Sequence, residues 1–171
     1  IFSQFGVDSE TYRALDARHQ AHYERYLEGT GYYDLFLISP DGWIVFSVSH
    51  ESDFATSLLT GPYRDSGLGQ VFRQTKETHQ SSLSSFEYYP PSHGAIAAFV
   101  AVPIMIEGNF HGVLALQIYS EHIFDVLTNN VGLGESGETV VTYMENKHLA
   151  RVMAPLREDP DAALKRTISL D

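Results

Sequence analysis

The sequence predicts an α+β domain, a five-stranded antiparallel sheet with a long helix at its N-terminal end. Three observations predict it. Two pairs of apolar, strand-forming runs flank short turn sequences, 32–39 with 43–49 across Pro40-Asp41-Gly42, and 95–106 with 110–119 across Gly108-Asn109. Turns this short join neighbouring strands antiparallel. Residues 8–28 carry helix start and stop signals. Finally, 43% of the 171 residues are hydrophobic, enough for a buried core in a domain of this length.

In the helix, Asp8 and Ser9 are the expected caps, Glu10 suits the positive end of the first turn, and Gly29 and Gly31 stop it. Leu15, His19, His22 and Tyr26 fall at helical spacing. The stripe is weakly apolar, so the helix is expected to rest on a sheet or on a second copy of the chain, and a homodimer through this helix follows as an expectation. In the first hairpin, a three-residue loop puts Phe36 and Ile38 on one face with Ile44 and Phe46, and Tyr33, Leu35 and Leu37 on the other with Trp43 and Val45. Both faces are apolar, as in a central pair covered on both sides.

Residues 49–84 are charged and Ser/Thr-rich, with a short helix predicted near Leu68–Lys76. Long excursions of this kind are typically binding loops or lids. A strand over 85–89 follows, then the second hairpin. With Gly108-Asn109 as the loop, Ala98 lies opposite Tyr119, Val100 opposite Gln117 and Val102 opposite Ala115. Phe99, Ala101, Pro103, Leu114, Leu116 and Ile118 then form the other face. A helix over 121–129, a Gly-rich break and a separate hairpin over 138–154 complete the reading.

Eleven basic against 22 acidic residues give a net charge of −11. That balance repels phosphate backbones and anionic headgroups, which argues against nucleic-acid or membrane-surface binding. There is no cysteine, so disulfide scaffolds, thiol nucleophiles and Cys-rich zinc sites are excluded. The longest apolar stretch, Ala95–Ile106, contains Pro103 and is too short to span a bilayer. The chain begins at Ile1, and the expectation is a piece of a longer, membrane-anchored protein.

The ordered runs YYDLFLISPDGWIVFSV, ESDFATSLLTGPYRDSGLGQVF, SSFEYYPPS, AAFVAVPIMIEGNFHGVLALQI and GLGESGETVV resemble bacterial extracytoplasmic Cache sensor modules, which are PAS-like. The likeness covers residues 31–143. The tail from Tyr143 resembles the opening of the second module of a double Cache domain. The resemblance implies a division into an N-terminal helix (1–30), a sensor module (31–131) and a linker with an incomplete second-module hairpin (132–171). It also implies a periplasmic, non-enzymatic, cofactor-free domain of an inner-membrane chemoreceptor, sensor histidine kinase or diguanylate cyclase that binds a small molecule. The Arg–Trp–Tyr signature of amino-acid-sensing Cache domains has no counterpart, because the single Trp, Trp43, lies between Gly42 and Ile44.

Other chemical signals are weaker. Gly132, Gly134 and Gly137 spell G-x-G-x-x-G, but a helix is expected before them and an apolar run after, the reverse of a dinucleotide site. His19 and His22 stand near Glu24 without a third-ligand motif, so no metal is expected. Ser92, His93 and Asp53 supply the residue types of a hydrolase triad without a nucleophile elbow.

The predicted ligand site combines three groups of residues. Gln117 and Tyr119 stand at the edge of the small-residue hairpin face. Phe86, Tyr88, Tyr89 and Ser92 come from the aromatic-Pro segment, with Tyr as an apolar surface bearing a hydroxyl. Tyr63, Arg64 and Asp65 lie on the excursion, where Arg64 either grips a ligand carboxylate in two-pronged fashion or pairs with Asp65. With only one cation, Arg64, near the predicted site of an acidic chain, the expected ligand is a neutral or singly anionic metabolite.

Overall fold

The computed structural model describes residues 9–129 and 131–170. The first helix, α1, runs Ser9–Thr30, and Asp8, the expected cap, lies outside the described residues. Gly29 stays helical. Gly31 ends the helix in the left-handed region at φ 75, and its N–H reaches the Leu27 carbonyl at 2.8 Å, a termination glycine permits without a Cβ clash. Tyr23 and Leu27 take the sheet-facing side. The stripe singled out above is not the buried one, since Leu15 and Tyr26 remain 49% and 43% exposed.

Six strands follow: β1 (Tyr32–Ile38), β2 (Ile44–Ser47), β3 (Ser82–Leu83), β4 (Glu87–Tyr89), β5 (Ala95–Ile106) and β6 (Asn109–Tyr119). Their order across one antiparallel sheet is β2-β1-β6-β5-β3, and β4 also pairs with β5. The sheet is therefore five positions wide, as predicted, with its outer position shared by two short strands. Between β2 and β3 the excursion carries α2 (Gly67–Thr78). Ser66 caps it through its side chain at the Gly69 N–H, and His79 ends it at φ 53.

The two sheet faces are buried by different layers. Phe36, Ile38, Ile44, Phe99, Ala101, Val113 and Ala115 pack with Leu58, Tyr89 and the α2 residues Leu68, Val71 and Phe72. On the opposite face, Leu35, Phe46 and Leu116 pack with Leu27 and Tyr23 of α1.

Three β-bulges decide which residues lie on which face, and they correct both predicted registers. The β5–β6 turn is Glu107-Gly108, both at positive φ, with Ile106 opposite Asn109, one residue earlier than expected. A bulge at His111 then sets Phe99 opposite Gln117, Val100 opposite Leu116 and Ala97 opposite Tyr119. A one-residue slip moves every side chain to the other face. Gln117 and Tyr119 thus share a face with Ala97, Phe99 and Ala101, while Ala98, Val100 and Val102 face the α1 side. The predicted small-residue hollow is split between the two faces. In the first hairpin, a bulge at Val45 keeps Ile44 with Phe36 and Ile38 but moves Phe46 to the side of Leu35 and Leu37.

The chain divides into two compact units at the Tyr119–Ser120 junction. The second contains α3 (Ser120–Leu127) and a separate three-stranded sheet of β7 (Thr142–Asn146), β8 (Leu149–Val152) and β9 (Thr167–Ser169). The hairpin expected over 138–154 forms, and β9 adds a third strand to it. Val152, Leu156 and Ala162 form its small core, with Ile168 against them. Residues 131–137 form turns.

Candidate functional site

The polar groups of the first unit collect on the face of α2 and the excursion, at the end of β6 away from the Glu107-Gly108 turn. A third bulge, at Tyr33, sets Tyr32 opposite Ile118 and Asp34 opposite Gln117. Bulges re-aim single side chains, and this one stacks Tyr33 on Tyr119, with centroids 5.6 Å apart. From there the Tyr33 hydroxyl donates to Glu51 Oε1 at 2.7 Å. Burial, followed by that hydrogen bond, pushes the Tyr33 phenol up to about 12.

Glu51 Oε2 accepts from Ser92 Oγ at 2.7 Å, and Ser92 Oγ in turn accepts from Gln117 Nε2 at 2.9 Å. Beside this chain, the Tyr89 hydroxyl donates to Asp53 Oδ2 at 2.5 Å. Tyr89 is fully buried against Phe99, with centroids 4.8 Å apart, and Tyr63 lies 6.3 Å from the Tyr89 ring. Ser52 Oγ and the Tyr63 hydroxyl share a hydrogen bond of 2.8 Å. Asp53, Ser92 and Gln117 are all buried. Burial drives the Asp53 carboxyl upward, the Tyr89 hydrogen bond opposes this, and the charge of Glu51 adds to the rise.

Two carboxylates in this region serve different ends. Asp34 is fully buried and fully bonded, with Oδ1 accepting from the N–H groups of Leu35, Val48 and Ser49 at 2.7, 2.9 and 3.1 Å, and Oδ2 accepting from Ser47 Oγ at 2.8 Å. It fastens the start of the excursion to β1. Asp53 has a single side-chain partner, and its Oδ1 is buried without a hydrogen bond. So is Gln117 Oε1. A buried acceptor left unpaired costs about 1–3 kcal/mol; at Asp53 the nearby N–H groups of its own residue and of Phe54 offset part of the burial.

The segment 48–54, which carries Glu51 and Asp53, also touches α1. Gln20 Nε2 donates to the Val48 carbonyl at 2.8 Å, His50 Nε2 lies 3.4 Å from Asp16 Oδ1, and the Tyr12 and Phe54 rings are 6.2 Å apart. Two clefts of about 360 and 260 Å³ flank α1 on the opposite sheet face. Mostly apolar side chains line them, with Tyr12, Asp16 and His19 in the larger one.

Of the predicted site residues, the fold brings Tyr89, Ser92 and Gln117 together, with Tyr63 and Tyr119 at the flanks. Arg64 and Asp65 are exposed and pair with each other at 3.2 Å, the second of the two readings left open for Arg64. Tyr88 is 47% exposed and Phe86 half-buried ahead of β4. Sequence reasoning missed Glu51 and Tyr33, and considered Asp53 only as a triad member. The available signal was two carboxylates in the first turn after β2, a strand whose end the hairpin brings beside β1 and β6. No triad forms, because the Ser92 hydroxyl is committed to Glu51 while His93 is exposed. Among the described residues, no group of three or more His, Cys, Asp or Glu is placed to hold a metal ion, and no helix is long and apolar enough to cross a membrane.

No family model and no curated protein sequence matches this chain. Solved structures do. The ligand-binding domain of Mlp24 with asparagine matches at 14% identity and a TM-score of 0.53, over 95% of this chain and 65% of that one. The ligand-binding domain of the Pseudomonas fluorescens chemoreceptor CtaA with L-serine matches at 10% identity and 0.52, over 80% and 52%. That of the Pseudomonas aeruginosa amino acid chemoreceptor PctC with GABA matches at 13% and 0.52, over 78% and 53%. The chain thus spans about half to two-thirds of the length of these structures. At such identities the likeness shows the fold alone, an α+β architecture shared with these ligand-binding domains.

Proposed function

We propose that this chain is an extracytoplasmic ligand-sensing domain of a bacterial membrane signalling receptor, with its site at Glu51, Asp53, Tyr89, Ser92 and Gln117. The observation that carries the reading is the pair of buried, unpaired acceptors, Asp53 Oδ1 and Gln117 Oε1, beneath the excursion of a fold shared with chemoreceptor ligand-binding domains. The domain binds and does not catalyse. Receptor output, membrane anchoring and periplasmic location follow from the same reading, as does the assignment of 132–171 to the start of a second module.

A ligand shifts a receptor only by its differential affinity for two conformations. Here the segment 48–54 has the site on one side and α1 on the other, through Asp16, Gln20 and Tyr12. A ligand that binds Asp53 favours one placement of that segment, and α1 follows it. The exposed stripe Leu15, His19, His22 and Tyr26 supports a parallel contact between two copies, checked by sedimentation of the wild type against Leu15→Glu.

The test of ligand sensing is thermal unfolding against a broad panel of small metabolites. A true ligand stabilises the folded state by RT ln(1 + [L]/Kd), about 2.7 kcal/mol at a hundredfold excess over Kd. A concentration-dependent rise in Tm supports the reading. Silence across the panel favours a structural or dimerising module, and turnover lost in Ser92→Ala favours an enzyme.

A further inference from the structure

We infer that the larger cleft beside α1 is a second ligand site, one that takes a small neutral aromatic molecule carrying an N–H or O–H donor. The cleft lies on the α1 face of the sheet, opposite the face that carries Asp53 and Gln117. The inference therefore goes beyond the sensor reading and does not depend on the site proposed there.

Tyr12, Leu15, Asp16, His19 and Tyr23 recur at helical spacing and form the helix wall of the cleft, while Leu37, Val45 and Phe46 form its floor on the sheet. α1 rests on the sheet through Tyr23 and Leu27, and Leu15, two turns before Tyr23, remains 49% exposed. The N-terminal half of the helix thus leaves the apolar floor uncovered. The space is about 360 Å³, within the roughly 300–1,000 Å³ of small-molecule sites, which pair mostly apolar walls with a few polar groups.

The lining selects the chemistry of the ligand. The sheet floor offers no polar side chain, so the body of the ligand is apolar. Tyr23 and Phe46 present rings with centroids 5.4 Å apart, tilted by 55°, and a ligand ring packs well against the edges and faces of such a pair. The polar end is Asp16. Its Oδ1 is buried without a hydrogen bond, and His50 Nε2 lies 3.4 Å from it. The second His50 nitrogen, Nδ1, is 3.4 Å from the Val48 carbonyl, so a neutral imidazole has one N–H between two acceptors. Burial, followed by the charge and hydrogen bond of Asp16, pushes the Tyr12 phenol up to about 12, so Tyr12 stays a hydroxyl and adds no second negative charge. A donor on the ligand completes Asp16, whereas a ligand carboxylate would meet a like charge. A neutral donor suffices, because Tyr12 and His50 already stand beside the carboxylate.

The experiment uses the 171-residue chain and thermal unfolding at fixed ionic strength. The probes are indole and p-cresol, with 1-methylindole and toluene as rings lacking the donor and indole-3-acetate as an anionic ring. The expected result is a concentration-dependent rise in Tm with indole or p-cresol, the same rise requiring at least about tenfold more 1-methylindole or toluene. Asp16→Leu removes the acceptor and leaves an apolar wall, so it brings indole and 1-methylindole level. Leu37→Phe fills the cleft from the sheet and abolishes the rise. Methyl NMR of the wild type, with shifts centred on Leu15, Leu37 and Val45, gives a second reading should either variant fold poorly.

Equal stabilisation of the wild type by indole and 1-methylindole overturns the role of Asp16, as does a preference for indole that survives in Asp16→Leu. Stabilisation by indole-3-acetate at the concentrations that suffice for indole overturns the neutral class. A rise undiminished in Leu37→Phe, or methyl shifts centred away from the three residues, moves binding elsewhere and overturns the site. Silence from every ring overturns the inference whatever the broad metabolite panel shows for the Asp53 site. Silence accompanied by a Tm that climbs with protein concentration overturns it in favour of a contact between two copies.

Discussion

Replacing Asp34 with Asn tests how the excursion is fastened to the sheet. Asp34 is fully buried, and burial outweighs its four hydrogen bonds, so its carboxyl is raised from 3.8 to about 6. Between those values the folded protein holds a proton that the unfolded chain has released. Stability therefore falls as pH rises from 3.8 to about 6 and is level beyond. A separation of about two pH units at 1.36 kcal/mol each gives a loss of about 3 kcal/mol.

In Asp34→Asn, the side-chain oxygen keeps the three backbone N–H bonds, while the Ser47 hydroxyl loses its acceptor, at about 1 kcal/mol. The variant is then about 1 kcal/mol less stable than wild type below pH 3.8. Above pH 6, where only the wild type holds a buried charge, the variant is about 2 kcal/mol more stable. The assay is urea unfolding followed by the fluorescence of Trp43, the single Trp, with ΔG extrapolated linearly at each pH. Taking the difference between the two proteins removes the contributions of Asp53 and Glu87, which are also raised. A difference that does not change with pH would refute the claim that Asp34 is a net cost when ionised.

Four further outcomes are expected. Tyr89→Phe strips Asp53 of its one side-chain partner and costs about 2 kcal/mol, more at neutral than at acid pH because the buried charge is then unrelieved, as urea titrations at two pH values will show. Gly112→Ala lowers stability by about 3 kcal/mol. Residue 112 sits at φ 143 and an added Cβ meets the Ile38 carbonyl across the β1–β6 pair, so the loss should appear as a large drop in Tm. Phe72→Ala, which empties a fully buried position under α2, costs about 3–5 kcal/mol. Arg64→Ala, at an exposed ion pair, changes stability by less than about 0.5 kcal/mol in the same assay.

Local chemistry made the elements legible. Strand-forming runs around Pro40-Asp41-Gly42 and around Glu107-Gly108-Asn109 can close only as antiparallel hairpins, and an apolar run with no polar face has to be covered on both sides. The end of α1 was legible within two residues, because a glycine in the left-handed region stops a helix whatever surrounds it. That Tyr89, Ser92 and Gln117 would gather was partly legible, because polar groups beside apolar strands need partners.

The faces were not legible, and with them the site. Side chains alternate with a period of two, so one extra residue reverses everything after it. This sheet has such residues at Tyr33, Val45 and His111. Each bulge depends on what packs above and below, information that no local window holds. Glu51 and Asp53 stood in an unremarkable acidic loop until Asp34, fewer than twenty residues earlier in sequence, fastened the start of that loop at Ser47, Val48 and Ser49. Composition and turn chemistry thus determined the class of fold and its strands. Tertiary packing decided which side of the sheet each residue faces, left Asp53 Oδ1 and Gln117 Oε1 buried without a hydrogen bond, and brought an acidic loop beside the end of β6.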